Sequence, residues 1–310
     1  MPAYQTVVVG VHENMPAKSI QLTASLAVET GAKLVLVAAY KGGGPDTNDP
    51  GAGDSFKVAE PAELALKRAA AMCKELGHHN VETHAVAGDP VTVLIAAVEE
   101  HGAELLVIGS RGLAGLADRL LGSVPGNLTR QVECDVLVVH TTGGHRRGLH
   151  RLGRLGANRH RSGTSYQRTL VVGVHDSPRS RRAAERAGAI AADHKAEVVL
   201  VGAYEDMEWS DLKHARDTLG AESHLVQGTF PIESALRDGE AKARAKGAAE
   251  VEHVVVHGDA MKGLLKVADK RHADVLVLGN HQLTGRMSQL IGSISSQVSR
   301  KTDTHILLVH

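Results

Sequence analysis

Leu105-Leu106-Val107-Ile108-Gly109-Ser110-Arg111-Gly112, followed after nine residues by Gly122-Ser123, is the stretch from which the rest of the chain is read. Four consecutive apolar residues with no polar alternation describe a parallel strand covered by helices on both faces, so Gly109 falls where the strand's carboxyl end opens into a loop. Ligands of open α/β sheets bind at that end. Gly109 and Gly112 remove side chains that would block a close backbone approach. Gly122-Ser123 stand before Val124 to Val132, a predicted helix whose free N–H groups point at whatever the loop encloses. Such a loop suits a phosphate, and Arg111 lies within it.

The pattern occurs a second time. Gly279-Asn280-His281-Gln282, nine residues, then Gly292-Ser293 follow the apolar run Val275 to Leu278, with Gln282 standing where the first copy has Gly112. The repetition extends over the whole chain. Gly10-Val11-His12 near the start is answered by Gly173-Val174-His175, Val35 to Ala39 by Val198 to Ala203, and Thr83 to Asp89 by Val254 to Asp259. Val136 to His140 is answered by Ile306 to His310. Each half is far longer than the roughly 20 to 50 residues of a stacking repeat, so tandem duplication of a complete domain is the economical reading.

In the first half, Thr6 to Val11 is a predicted strand, Pro16 to Thr30 a helix and Lys33 to Ala39 a strand. Lys41 to Val58 is too polar and glycine-rich for regular structure. A helix over Pro61 to Leu76 follows, then strand Val81 to Ala87, the turn Gly88-Asp89-Pro90, helix Val91 to His101, strand Glu104 to Ile108, the glycine loop with its helix, and strand Asp135 to Val139. Right-handed crossovers then require a doubly wound parallel sheet in each half. The expected architecture is α/β, two tandem five-stranded, Rossmann-like domains spanning 1–141 and 168–310.

The intervening 142–167 carries His145-Arg146-Arg147, His150-Arg151, Arg154 and Arg159-His160-Arg161 with almost no apolar periodicity. It reads as a linker, either a solvated tether kept extended by like charges or a basic arm for phosphates. Composition favours the tether: the 310 residues balance 35 Lys and Arg against 35 Asp and Glu, and aromatic residues are only 2 %, which argues against nucleic acid as a partner. No apolar run approaches the roughly 18 to 20 residues that span a bilayer, and no export signal opens the chain, so a cytoplasmic location without a membrane partner is expected. Cys73 and Cys134 read as small buried hydrophobes. The 19 histidines show no His-x3-His on one helix and no Cys/His cluster, so no metal site is expected from the pattern.

The Gly-x2-Gly-x9-Gly-Ser spacing, in register in two repeated halves, resembles the loop of the universal stress protein family and specifically that of its ATP-binding members. The resemblance implies the strand order 3-2-1-4-5 and ATP, with or without Mg2+, as ligand. Carried over residue by residue, it implies binding by Val11, His12, Ala39, Ile108, Gly109, Gly112, Gly122, Ser123 and Val124. In the second domain the positions are Val174, His175, Ala203, Leu278, Gly279, Gly292, Ser293 and Ile294, with Ser295 keeping the hydroxyl that Pro125 lacks. Both halves depart from the family where it usually places an aspartate on the ribose. His12 and His175 stand there, beside Glu13 and Asp176. No Lys follows the last glycine as in a Walker A loop, so fast hydrolysis is not expected and no catalytic residue is assigned. The implied role is a stress-response regulator whose bound ATP stabilises the fold or biases a protein interaction, the first domain binding more tightly. A nucleotide-free scaffold of the same fold is the alternative. The family commonly covers its last strand by two-fold pairing, which implies an intramolecular pseudo-dimer here, open to further homodimer formation.

Overall fold

The computed structural model describes residues 2–13, 20–21, 23–24, 31–41, 55–109, 131–139, 168–205, 217–218, 229–279 and 304–310. They divide into two compact units. The first contains β1 (Thr6–Gly10), β2 (Lys33–Tyr40), α1 (Ser55–Glu75), β3 (Val81–Ala87), α2 (Pro90–His101), β4 (Leu105–Gly109) and β5 (Asp135–Val139). The second contains β6 (Thr169–Val174), α3 (Pro178–His194), β7 (Glu197–Tyr204), α4 (Phe230–Ala245), β8 (Glu250–His257), α5 (Ala260–Lys270), β9 (Val275–Gly279) and β10 (His305–Val309).

All strand pairs within a unit are parallel, in the order β3-β2-β1-β4-β5 and, correspondingly, β8-β7-β6-β9-β10. Each unit is therefore an α/β doubly wound sheet of order 3-2-1-4-5. The apolar runs lie in the middle, where both faces are covered, and Val8, Leu106, Val171 and Leu276 are fully buried. By contrast β3, with Glu82, Thr83 and His84, is largely open to solvent, as suits an outer strand.

The turn chemistry is duplicated as well. Gly88 and Gly258 take positive φ, where a side chain would be strained, and each hands the chain to an aspartate that caps a helix. Asp89 accepts from the N–H groups of Val91 and Thr92, and Asp259 from that of Lys262. In the second unit α3 and α4 meet through Gly188: a Cβ there would lie 2.3 Å from the carbonyl oxygen of Ala243.

One expected boundary moves. The helix predicted from Pro61 begins at Ser55, so Pro61 sits inside α1 rather than in its first turn. A proline usually marks a helix start, because its missing N–H has no partner in the first turn anyway. Here the chain accepts the loss of one internal hydrogen bond. Of the helix predicted over Pro16 to Thr30, Ile20, Gln21, Thr23 and Ala24 are helical. Of the helix predicted over Val124 to Val132 the described residues are Gln131, which is helical, and Val132, which is not. The residues between Gly109 and Gln131, those from Asn280 to Asp303 and the basic linker lie outside the described residues. Cys73 and Cys134 are buried and unbonded to each other, and burial pushes their thiols up to about 11 and about 12.

Candidate functional site

In the order 3-2-1-4-5 the connections leaving β1 and β4 run to opposite sides of the sheet, and the crevice for a ligand opens at the carboxyl ends of these two neighbours. Their register, Val7↔Leu105 to Val9↔Val107, brings Ile108 and Gly109 alongside the residues that follow β1. On the other flank Gly10 pairs with Val37, and the Val11 N–H donates to the Val37 carbonyl at 2.8 Å, which leaves Ala39 beside His12. Val11, His12, Ala39, Ile108 and Gly109 thus collect at one edge. The second unit repeats this with Val174, His175, Ala203, Leu278 and Gly279, through the registers Val172↔Val277 and Val174↔Gly202. Arg111, Gly112, Gly122, Ser123, Val124 and Pro125, and Gln282, Gly292, Ser293, Ile294 and Ser295, lie outside the described residues.

The two edges differ at their histidines. His12 is half-buried, and desolvation holds its imidazole below the usual histidine range, with the nearby Glu13 carboxylate opposing. At neutral pH it is uncharged and offers one donor and one acceptor, where a carboxylate would accept two hydroxyls. His175 is exposed. Its backbone N–H donates to Ser180 Oγ at 3.0 Å, and the Ser180 N–H donates to Ser177 Oγ at 3.1 Å, so this edge is tied into the first turn of α3. The neighbouring Asp176 carboxylate is held by Arg181 at 3.0 Å, and the same guanidinium lies 3.5 Å from Asp238.

Gly279 has a role within the protein itself. A Cβ on it would come within 2.8 Å of the Arg179 backbone carbonyl group, so the glycine lets the start of α3 close over the end of β9. Sequence reasoning attached this glycine to a ligand and missed Arg179, Ser180 and Arg181. The available signal was Ser177-Pro178, a cap followed by a first-turn proline, which places the next residues over the strand end. On the outer strand of the first sheet Glu82 and His84 come together with His101, the last residue of α2, a grouping no spacing in the sequence announced.

Residues 3–140 and 167–310 both match the Universal stress protein family. A universal stress protein of Mycobacterium tuberculosis is 39 % identical over 150 residues, which cover 46 % of this chain and 100 % of that protein. One of Mycobacterium bovis is 28 % identical over 241 residues, covering 78 % of this chain and 71 % of that protein. The crystal structure of a universal stress protein from Archaeoglobus fulgidus superimposes with a TM-score of 0.63 at 18 % identity, covering 99 % of this chain and 96 % of that one. Both halves carry the family's sequence signature on the fold described above, and the chain belongs to the universal stress protein family as a tandem, two-repeat member.

Proposed function

We propose that this chain is a cytoplasmic stress-response regulator that binds ATP at the carboxyl edge of each sheet, more tightly in the first domain, and does not turn it over rapidly. The observation that carries the reading is the gathering of Val11, His12, Ala39, Ile108 and Gly109 at the switch point, directly before the Gly109-x2-Gly112-x9-Gly122-Ser123 spacing. The adenosine would lie against the Val11, His12 and Ala39 edge, and the phosphates against the glycine loop with Arg111 and the helix start at Ser123 and Val124. Val174, His175, Ala203, Leu278, Gly279, Gly292, Ser293, Ile294 and Ser295 would serve the second domain. Mg2+ would arrive with the triphosphate.

We take the domains as 1–141 and 168–310, joined by a tether over 142–167. In each unit the fifth strand, β5 or β10, ends the sheet order. An apolar outer strand left open would recruit other chains, and a tethered second copy offers a high effective concentration. The two domains would accordingly pair through these strands as a pseudo-dimer, on which a homodimer can build. Independent tumbling of the domains in NMR relaxation would refute the pairing.

A second reading, a nucleotide-free scaffold, is favoured by the second edge. There Gly279 is accounted for by Arg179, and Asp176 is engaged by Arg181. Denaturing the purified protein and identifying released small molecules by chromatography separates the two. Adenine nucleotide near one per chain supports binding. No release, together with no thermal stabilisation by added ATP and Mg2+, supports the scaffold.

A further inference from the structure

We propose that Glu82, His84 and His101 form a binding site for one divalent transition-metal ion, of which Zn2+ is the representative. Glu82 and His84 are two apart on β3 and so share one face of the strand, while α2 runs back antiparallel to β3 and ends at His101 beside them. One ligand atom from each lies within 4.8 Å of the others. His84 Nε2 stands 3.8 Å from Glu82 Oε2, and the two imidazole rings are 5.1 Å apart, tilted by 47°. His84 Nε2 is itself buried and has no hydrogen-bond partner, an arrangement that costs free energy unless the nitrogen is engaged.

Two imidazoles and one carboxylate are a donor set that zinc accepts with a fourth position left to water, at metal–ligand distances of about 2.0 to 2.2 Å. Ligand atoms around such an ion sit about 3.3 Å apart, so the cluster must contract. The Glu82 side chain, 47 % exposed, has the freedom to move. Lys33 Nζ holds Glu82 Oε1 at 2.9 Å, which leaves Oε2 facing His84 but sets a like charge near the incoming ion.

The internal repeat supplies an independent argument. Glu82 pairs with Val35 as Glu252 pairs with Val199, and His84 with Val37 as Val254 with Val201. His101 lies twelve residues after its capping Asp89, as Arg271 lies twelve after Asp259. In the second unit the Arg271 guanidinium is hydrogen-bonded to Glu252. The same corner of the fold therefore holds a carboxylate against a built-in cation in one unit. In the other, the arginine and the valine are both replaced by imidazoles, which are ligands for a cation brought from solution. The three residues lie on an outer strand and at the end of α2, and none of them belongs to the proposed nucleotide edge, so the site stands apart from the nucleotide proposal.

The second unit also provides variants that the fold tolerates, His84→Val and His101→Arg. The full chain, stripped with chelator, would be titrated with zinc sulfate by calorimetry against a competing chromogenic chelator, and with Co2+ by visible absorption. Wild type is expected to take up one tightly bound ion per chain and to give the intense d–d bands of a four-coordinate Co2+ site. Each variant should keep its thermal midpoint without metal and lose affinity by more than the about 10 to 100-fold typical of losing an outer-shell partner. Lys33→Met should tighten binding. Failure of wild type to bind zinc at micromolar concentration would overturn the site, and so would uptake that persists unchanged in the double variant.

Discussion

Tyr4 and Asp135 show how much one side-chain contact can fix. The phenol donates to Asp135 Oδ2 at 2.9 Å, both residues are buried, and 131 positions separate them in sequence. Tyr4→Phe leaves the volume unchanged and removes a hydrogen bond to a charged acceptor, so urea unfolding should report a loss of about 1.5 to 3 kcal/mol. A second residue-scale effect concerns acid. Burial holds His12 and His78 below the usual histidine range; at His78 the Asn80 and Ala32 backbone bonds oppose this and the neighbouring His79 adds to it. Below the unfolded-state value of about 6.5 the unfolded chain therefore binds more protons than the folded one. The stability these residues contribute is present above about pH 6.5 and is lost as pH falls through their folded values. Denaturation at pH 7.5 and 5.5 should show a smaller difference for His12→Gln with His78→Gln than for wild type. For the same reason nucleotide affinity should be flat between about pH 6.5 and 7.5 and respond only in stronger acid.

Gly188 shows the corresponding sensitivity between elements. With the Ala243 carbonyl 2.3 Å from the place of a Cβ, Gly188→Ala must push α3 and α4 apart, although alanine is the better helix former. The packing term should win, lowering stability by about 1 to 3 kcal/mol in a thermal melt. A gain in stability would show that the helices can separate freely. Elements were the most legible level of this chain. β3 and β5 match their expected bounds, and β1, β2, β4, β7, β9 and β10 lie within a residue or two, because buried parallel strands announce themselves as short apolar runs. The start of α1 was not legible, since Pro61 mimics a first-turn proline. The candidate nucleotide edge was half legible: its residues came from repeated motifs, but the closure of Arg179 over Gly279 depends on a helix packing angle that no local pattern encodes. Glu82, His84 and His101 were not linked in the sequence because helix length and strand register, rather than spacing, bring them together.

Across the whole molecule the two repeats invite unequal use. On the proposed nucleotide reading Gly112 would leave the first loop open to backbone approach, while Gln282 would place a side chain at the matching position. Pro125, in the helix expected after the first loop, would remove a donor that a first helical turn leaves unpartnered anyway. A strained loop costs about 1 to 3 kcal/mol against about 0.5 to 1.5 kcal/mol for one neutral hydrogen bond, so the second domain's defect should weigh more. Gly122→Ala should abolish most of the ATP-dependent rise in thermal midpoint and Gly292→Ala should change little; equal losses would reverse the ranking. The strand order also governs how the chain is made. Because β4 pairs with β1 and not with its predecessor β3, and Tyr4 waits for Asp135, the first repeat cannot complete itself until its fifth strand has left the ribosome. Such distant pairing is slow to form. Until then the growing chain exposes the flank of β1 meant for β4, so synthesis of the first repeat is its period of greatest exposure to aggregation and to chaperones.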